Sequence, residues 1–478
     1  MLFNSVQFGI FLTIVFILYW KVFNKTLKGQ NLLLLVVSYF FYCCWDWRFL
    51  FLLLFSTFLD FFTGLMIYKS ESKVQKKRWL ILSVGINLGF LSFFKYFNFF
   101  IDSFEQLLGI FHIHGGFTAL HIILPIGISF YTFHGLSYVF DIYNNKIQPT
   151  YKWIDYSVFV SFFPLLVAGP IERATHLLPQ VEKPRVFTNA YAIDGLKQIL
   201  WGLFKKIVVA DSCANYANDI FNNSESYSGS SLLVGAFLFA FQIYGDFSGY
   251  TDIALGSARL FGFELLDNFK YPYFSRDLAE FWRRWHISLS SWFKDYLYFP
   301  LGGSKGGLWI KIRNTLIIFI VSGFWHGANW TFIAWGILNA LFIMPSVFLG
   351  TNRNNMEIVA KGKLLPSFRE LVNILITFWL TVLIWVFFRA DSISHAFHYI
   401  SGIFSTSLFI FPDVFPKKVF ALILLFIIME WLGRENKYAI QCLYTNWPRV
   451  LRWGVYYLLI TLIFSFSGQD QQFIYFQF

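Results

Sequence analysis

Two histidines stand in surroundings where an imidazole is costly. His326 lies in GFWHGANWTFIAWG, residues 323–336, between two apolar stretches and framed by Gly323, Gly327, Trp325 and Trp330. An ionisable group in so apolar a setting is a functional candidate by default, and the flanking glycines let another backbone or a ligand approach closely. The plainer alternative is a buried histidine bonded to a carbonyl that serves packing alone. His286 lies in FWRRWHISLSSWFKDYLY, where Trp282, Trp285, Leu289, Trp292, Phe293 and Tyr296 recur at helical spacing and predict one aromatic face. By helical phase His286 falls on that face, about 40° from Trp282, where it needs a partner or a cavity.

A neutral imidazole titrating near pH 6.5 can take the proton of a hydroxyl as its oxygen attacks a thioester, so acyl transfer is the chemistry these residues suit. Other catalytic grammars are missing: the chain has no HExxH, no GxGxxG after a strand, no GxxxxGK[ST] and no GxSxG. His286 and His326 lack a clear third ligand, so no metal is expected. Arg283, Arg284, Lys305 and Lys311 are candidates for meeting a donor's phosphates, with a turn at Gly302, Gly303, Gly306 and Gly307 beside them. An amphipathic helix lying in the interface and a tight interfacial turn explain the same residues.

The last residues, FIYFQF, are a third candidate. Phe473, Ile474, Tyr475, Phe476 and Phe478 make the end of the chain apolar and aromatic, unlike the polar termini of most proteins. One reading is an aromatic anchor at the membrane surface. The other is a relay, in which the Tyr475 phenol receives the acyl group and so shortens its path across ~30 Å of hydrocarbon.

The elements that must position these groups are membrane helices. Of 478 residues 57% are hydrophobic, 22% aromatic and only 14% charged, too little charge to solvate a soluble surface. Apolar stretches recur from 5–20 to 452–467, and they predict an all-α polytopic membrane protein with roughly 11 spans plus re-entrant or interfacial pieces. The excess of 38 Lys and Arg over 27 Asp and Glu reads as topology in the inner loops, so nucleic acid is not an expected partner. Basic loops after the first span and at 69–78 predict a cytoplasmic side there, with both termini outside. Cys43, Cys44, Cys213 and Cys442 have no CxxC spacing and indicate neither a disulfide framework nor a zinc site. We expect one integral membrane domain over 1–478, a polar block at 244–336 carrying the active site, and an outer tail at 468–478.

These stretches resemble the membrane-bound O-acyltransferase family, in the bacterial branch of alginate and peptidoglycan O-acetyltransferase membrane subunits. The resemblance rests on MLFNSVQF at the start, LPIGISFYTF at 124–133, FFPLLVAGPIER at 162–173, YGDFSGYTDIA at 244–254, FWRRWHISLSSWFKDYLYFPLGG at 281–303, GFWHGANWTFIAWG and the terminal FIYFQF. It implies a helical bundle around a central tunnel, with His326 as the catalytic histidine and His286 as a second active-site histidine. It also implies acetyl-CoA as a cytoplasmic donor and a location in the bacterial inner membrane among its lipids. A separate extracytoplasmic SGNH-type O-acetyltransferase would then modify an exported polysaccharide. Two other functions fit part of the pattern. One is a D-alanyl transferase for teichoic acid, against which the fused FIYFQF stands, and the other is a polymer or lipid transporter that needs no histidine chemistry.

Overall fold

In lipid the backbone must satisfy its own polar groups, and apolar runs of this length do so as helices. A computed structural model of the chain describes residues 1–112, 122–167, 169–442, 447–468, 471, 473 and 474. Among the described residues 19 α-helices and no strand are present. Seven helical stretches are long and apolar enough to cross a membrane, and Val6–Val22 and Trp153–Leu165 are shorter apolar helices. Two of the seven, Leu27–Lys69 and Lys73–Ile110, each contain two α-helices joined by a short 3-10 or π segment.

The chain forms two compact units, the first made of residues 1–192 and 257–266. It holds α1 (Val6–Ile17), α2 (Leu27–Asp46), α3 (Leu50–Lys69), α4 (Lys73–Leu91), α5 (Phe97–Ile110), α6 (Ile128–Tyr143), α7 (Trp153–Ser161) and α8 (Ala174–Val181). Side chains join helices distant in sequence: Asn31 of α2 donates to Asp155 of α7 at 2.8 Å and to the Val181 carbonyl at 3.0 Å. Within α3 and α4, Asp60 accepts from Ser83 at 2.7 Å and from Asn87 at 2.8 Å.

The second unit takes in residues 193–256 and 267–478. Its helices are α9 (Asn189–Leu203), which starts in the first unit, α10 (Asp211–Asn222), α11 (Gly229–Leu260), which ends in the first unit, α12 (Leu278–Arg284), α13 (Ile287–Phe293), α14 (Leu308–His326), α15 (Trp330–Phe348), α16 (Phe368–Arg389), α17 (Ile393–Ile403), α18 (Lys417–Gly433) and α19 (Arg449–Phe466). Small residues set how closely these helices pack, as they do at many membrane helix contacts. A Cβ added at Gly249 of α11 would sit 2.8 Å from the Gly202 carbonyl oxygen of α9. Between α9 and α10 the chain runs as a π-helix, Phe204–Ala210, which turns both Lys205 and Lys206 into the interior. Such bulges often occur at functional sites.

Candidate active site

His326 is the last residue of α14, which stops because Gly327 is extended, at φ −163° and ψ 158°. The chain restarts at once, for Asn329 caps α15 by accepting the Thr331 N–H at 3.0 Å. Gly323 and Gly336 face one another across this hairpin, where a Cβ on either would collide with a carbonyl of the opposite helix. The short sequence GFWHGANW is therefore a tight helical hairpin with the histidine at its tip. The ring is 5% exposed and walled by Trp325, Trp335 and Phe388, with ring centroids 5.0, 5.1 and 5.3 Å away. A helix C-terminus stabilises positive charge, the form a base takes once it has accepted a proton.

His286 reaches the same place by a different device. The aromatic spacing predicts one continuous helix through 282–296, but the structure breaks it into α12 and α13, with His286 between them at φ 45° and ψ 51°. A non-glycine residue in this left-handed region is uncommon, and such conformations cluster at functional sites. Asn268 holds the turn: its carbonyl accepts the Ile287 N–H at 2.9 Å, and its Oδ1 accepts from the Ser288 N–H at 3.3 Å and the Ser288 hydroxyl at 2.9 Å. The same Oδ1 lies 3.0 Å from His286 Nδ1. Because a backbone N–H can only donate, the oxygen of the Asn268 amide faces this side, and it assigns the imidazole proton to Nδ1. Nε2 then carries the lone pair. It has no hydrogen-bond partner among the described residues, although His286 is only 1% exposed.

The two imidazoles lie 6.3 Å apart, centroid to centroid. Phe247 stands edge-on to His286 at 4.7 Å, and Trp325 contacts both histidine rings. The site is thus an aromatic chamber holding two imidazoles.

The cations predicted beside it are placed variously. Arg283 donates to the carbonyls of Asn352 at 2.7 Å and Asn355 at 2.9 Å, while Arg284 donates to Glu280 at 2.7 Å and the Glu357 carbonyl at 3.2 Å. Lys305 is exposed in the glycine turn, and Lys311 is half-buried in the first turn of α14. Tyr475 lies outside the described residues, whereas Phe473 and Ile474 are buried.

Sequence reading missed Asn268, which nothing in ELLDNFKYPYF marks out. It also missed a polar cleft whose lining includes Lys205, Asp252, Asn268, Tyr271, Glu430 and Lys437. There Lys205 pairs with Asp252 at 2.6 Å, and Tyr244 donates to Glu430 at 2.7 Å. The signal was available in the two lysines of LFKKIVVA, charges set inside an apolar run.

Residues 143–377 match the membrane-bound O-acyltransferase family. A probable alginate O-acetylase of Pseudomonas putida is 34% identical over 478 residues, covering 95% of this chain and 96% of that protein. The chain belongs to the membrane-bound O-acyltransferase family. A peptidoglycan O-acetyltransferase of Helicobacter pylori is 32% identical, covering 100% of this chain and 98% of its own length. A teichoic acid D-alanyltransferase of Bacillus subtilis is 28% identical over 54% of this chain and 67% of that protein. The protein is accordingly an O-acyltransferase and a multi-pass membrane protein, and the two-histidine chamber lies partly within the matched region, where the family match includes both His286 and His326.

Proposed function

We propose that this O-acyltransferase carries an acetyl group from cytoplasmic acetyl-CoA across the bacterial cytoplasmic membrane, for O-acetylation of an exported polysaccharide such as an alginate-like exopolymer or peptidoglycan. The observation that carries this reading is the pair of buried imidazoles 6.3 Å apart in one aromatic chamber. The full-length similarity to proteins named as alginate and peptidoglycan O-acetylating enzymes supports the choice of acetyl and of a polymer.

His326 acts as the base. It takes the proton of an acceptor hydroxyl as the oxygen attacks the thioester carbonyl; a C–O bond forms, the C–S bond breaks, and the thiolate leaves with a proton from the imidazolium. His286, with Nδ1–H fixed on Asn268, directs its Nε2 lone pair at the reacting groups and orients the hydroxyl. Exclusion of water by the aromatic walls protects the thioester and the transferred ester from hydrolysis. Tyr475 is the first acceptor: a phenol is easier to deprotonate than an aliphatic alcohol, and an aryl ester is a good donor for the next transfer. A separate extracytoplasmic SGNH-type transferase then takes the acetyl group to the polymer.

Arg283, Arg284, Lys305 and Lys311 meet the phosphates of the donor. Neutralising one of them weakens donor binding more than turnover at saturating donor. An unchanged apparent donor affinity in Arg284→Ala would remove that residue from the site. The deciding experiment expresses the chain with and without its neighbouring transferase and identifies by mass spectrometry which surface polymer gains ester-linked acetate. Ester-linked D-alanine instead would replace acetyl in this reading. Tyr475→Phe keeps the ring, so near-normal polymer acetylation in that variant would reject the relay and leave an aromatic anchor.

A further inference from the structure

The second unit contains a cluster of buried charges that the chemistry above does not use. Lys206, 1% exposed in the π-helix Phe204–Ala210, places its Nζ 2.7 Å from Asp211 and 2.7 Å from Asp246. One lysine against two carboxylates leaves an excess of negative charge, and buried carboxylates need further donors. The donor comes from the end of the chain: the Ile474 backbone N–H bonds Asp246 Oδ2 at 2.7 Å. The third proton direction of the ammonium is used in the same way, since Lys206 donates to the Gln471 carbonyl at 3.2 Å. Between these two backbone contacts Phe473 is fully buried, its ring 4.2 Å from Tyr250 and 6.3 Å from Phe247. Phe247 is the ring that stands against His286.

We propose that Lys206, Asp211 and Asp246 form a clamp that binds the C-terminal segment by its backbone and holds it one aromatic ring away from His286. Its ligand is a peptide that presents an aromatic side chain together with a carbonyl and an N–H, the pattern supplied by Gln471, Phe473 and Ile474. The charged groups grip main-chain atoms, and specificity comes from burial of the Phe473 and Ile474 side chains. The glycines of α11 make the clamp possible. A Cβ at Gly245 would lie 3.0 Å from the Lys205 carbonyl, and one at Gly249 would lie 3.0 Å from the Lys206 N, so these glycines let α11 approach the π-helix closely enough for Asp246 to reach Lys206. Gln471 adds an outer contact, donating to Asn215 at 2.8 Å, on the exposed side of the clamp.

Lys206 and Asp246 are positioning residues, because they touch the tail and not the reacting atoms. The consequence for acyl transfer rests on the function proposed above; the clamp itself does not. It is tested on the full-length protein by hydrogen–deuterium exchange with mass spectrometry of the C-terminal peptide. In the native chain the amide of Ile474 should exchange at least 100-fold more slowly than a free peptide amide. Exchange at the free-peptide rate would overturn the clamp without any variant being made. In Lys206→Met and in Asp246→Ala that protection should fall at least tenfold while protection within α14 and α15 is retained, whereas Asn215→Ala should leave it near native. Loss of protection across all helices in both variants would instead mark a global stability effect, and the clamp would then stand or fall on the native measurement. Transfer assayed alongside separates the two proposals: in Lys206→Met turnover should drop tenfold or more with the apparent donor affinity unchanged. A released tail with undiminished transfer would keep the clamp and sink the role of the tail in catalysis.

Discussion

Each unit buries an ionisable side chain in an apolar interior, and the two are treated differently. In the first unit Asp60 is tied into a hydrogen-bond network: Ser83 and Asn87 both donate to its Oδ1, and Ser56 donates in turn to the Asn87 amide oxygen at 2.8 Å. In the second unit Asn268 fixes one nitrogen of His286 and the other is left open, facing rings rather than donors. A satisfied network fixes how helices pack, whereas a buried lone pair without a partner is costly and calls for an explanation. The two side chains thus differ in how far their hydrogen bonds are satisfied, although both look equally improbable in a membrane sequence.

The comparison is broken most severely at the open site. General-base catalysis is typically worth about 10²- to 10⁴-fold, so His326→Ala should lose transfer by that order while the protein still inserts and folds. Rates of acetyl transfer measured on purified, monodisperse protein check it, and near-native turnover would remove His326 from the reaction.

Asn268 should matter next. Asn268→Ala removes the acceptor that holds the proton on Nδ1 and the anchor of the left-handed turn, and a misplacement of about 1 Å can cost roughly 10²-fold in rate. Transfer should fall by about that factor, with apparent donor affinity little changed. Asn268→Asp keeps an oxygen for Nδ1–H and for Ser288, so it should recover much of the loss. If Ala and Asp variants were equally impaired, the tautomer argument would be wrong and packing alone would explain Asn268.

Much of this contrast was legible in the sequence, for local reasons. In GFWHGANW the close approach expected of the glycines is found at Gly323, which lies against the Phe332 carbonyl, because the residues that make it are consecutive; the hairpin and its Asn329 cap are seen only in the structure. The aromatic run around His286 predicted one continuous helix, which the structure breaks into two. Helical phase assumes that every residue is helical, and one left-handed residue resets it. Asn268 was invisible because its role is tertiary: it lies 18 positions from His286 and meets it only after the chain folds back. Lys206 went unremarked, since reading the net basic charge as loop topology directs attention away from a lysine that faces inward.

The Asp60 network predicts the reverse pattern. Asp60→Ala would strand the Ser83 hydroxyl and the Asn87 amide in the interior, and leaving buried donors unmade costs about 1–3 kcal/mol. Thermal unfolding in detergent should therefore shift downward, while transfer per folded molecule stays close to native. A large fall in specific transfer with unaltered stability would mean that Asp60 is not merely structural and would dissolve the contrast.

The smallest effect sharpens the comparison by setting histidine against histidine. His176, in the first unit and outside the membrane-spanning stretches, has its Nδ1 2.8 Å from Glu172, whose other oxygen accepts the Leu266 N–H at 2.6 Å. The Glu172 hydrogen bond raises its pKa above the ordinary imidazole value, with burial opposing and the charges of Glu172 and Glu264 assisting. A pKa raised by folding means that the folded state binds the proton more tightly than the unfolded chain. The stabilisation is therefore complete below the unfolded value, near pH 6.5, and is lost as pH rises through the folded one. The side chain is 35% exposed, so solvent screening holds the contribution below about 1 kcal/mol. Thermal midpoints measured from pH 5.5 to 8.5 should fall shallowly in the native protein, and His176→Gln should flatten that slope without changing the pH dependence of transfer. A changed transfer profile in this variant would give His176 a catalytic role, and an unchanged stability slope would show that the Glu172 pair does not set it.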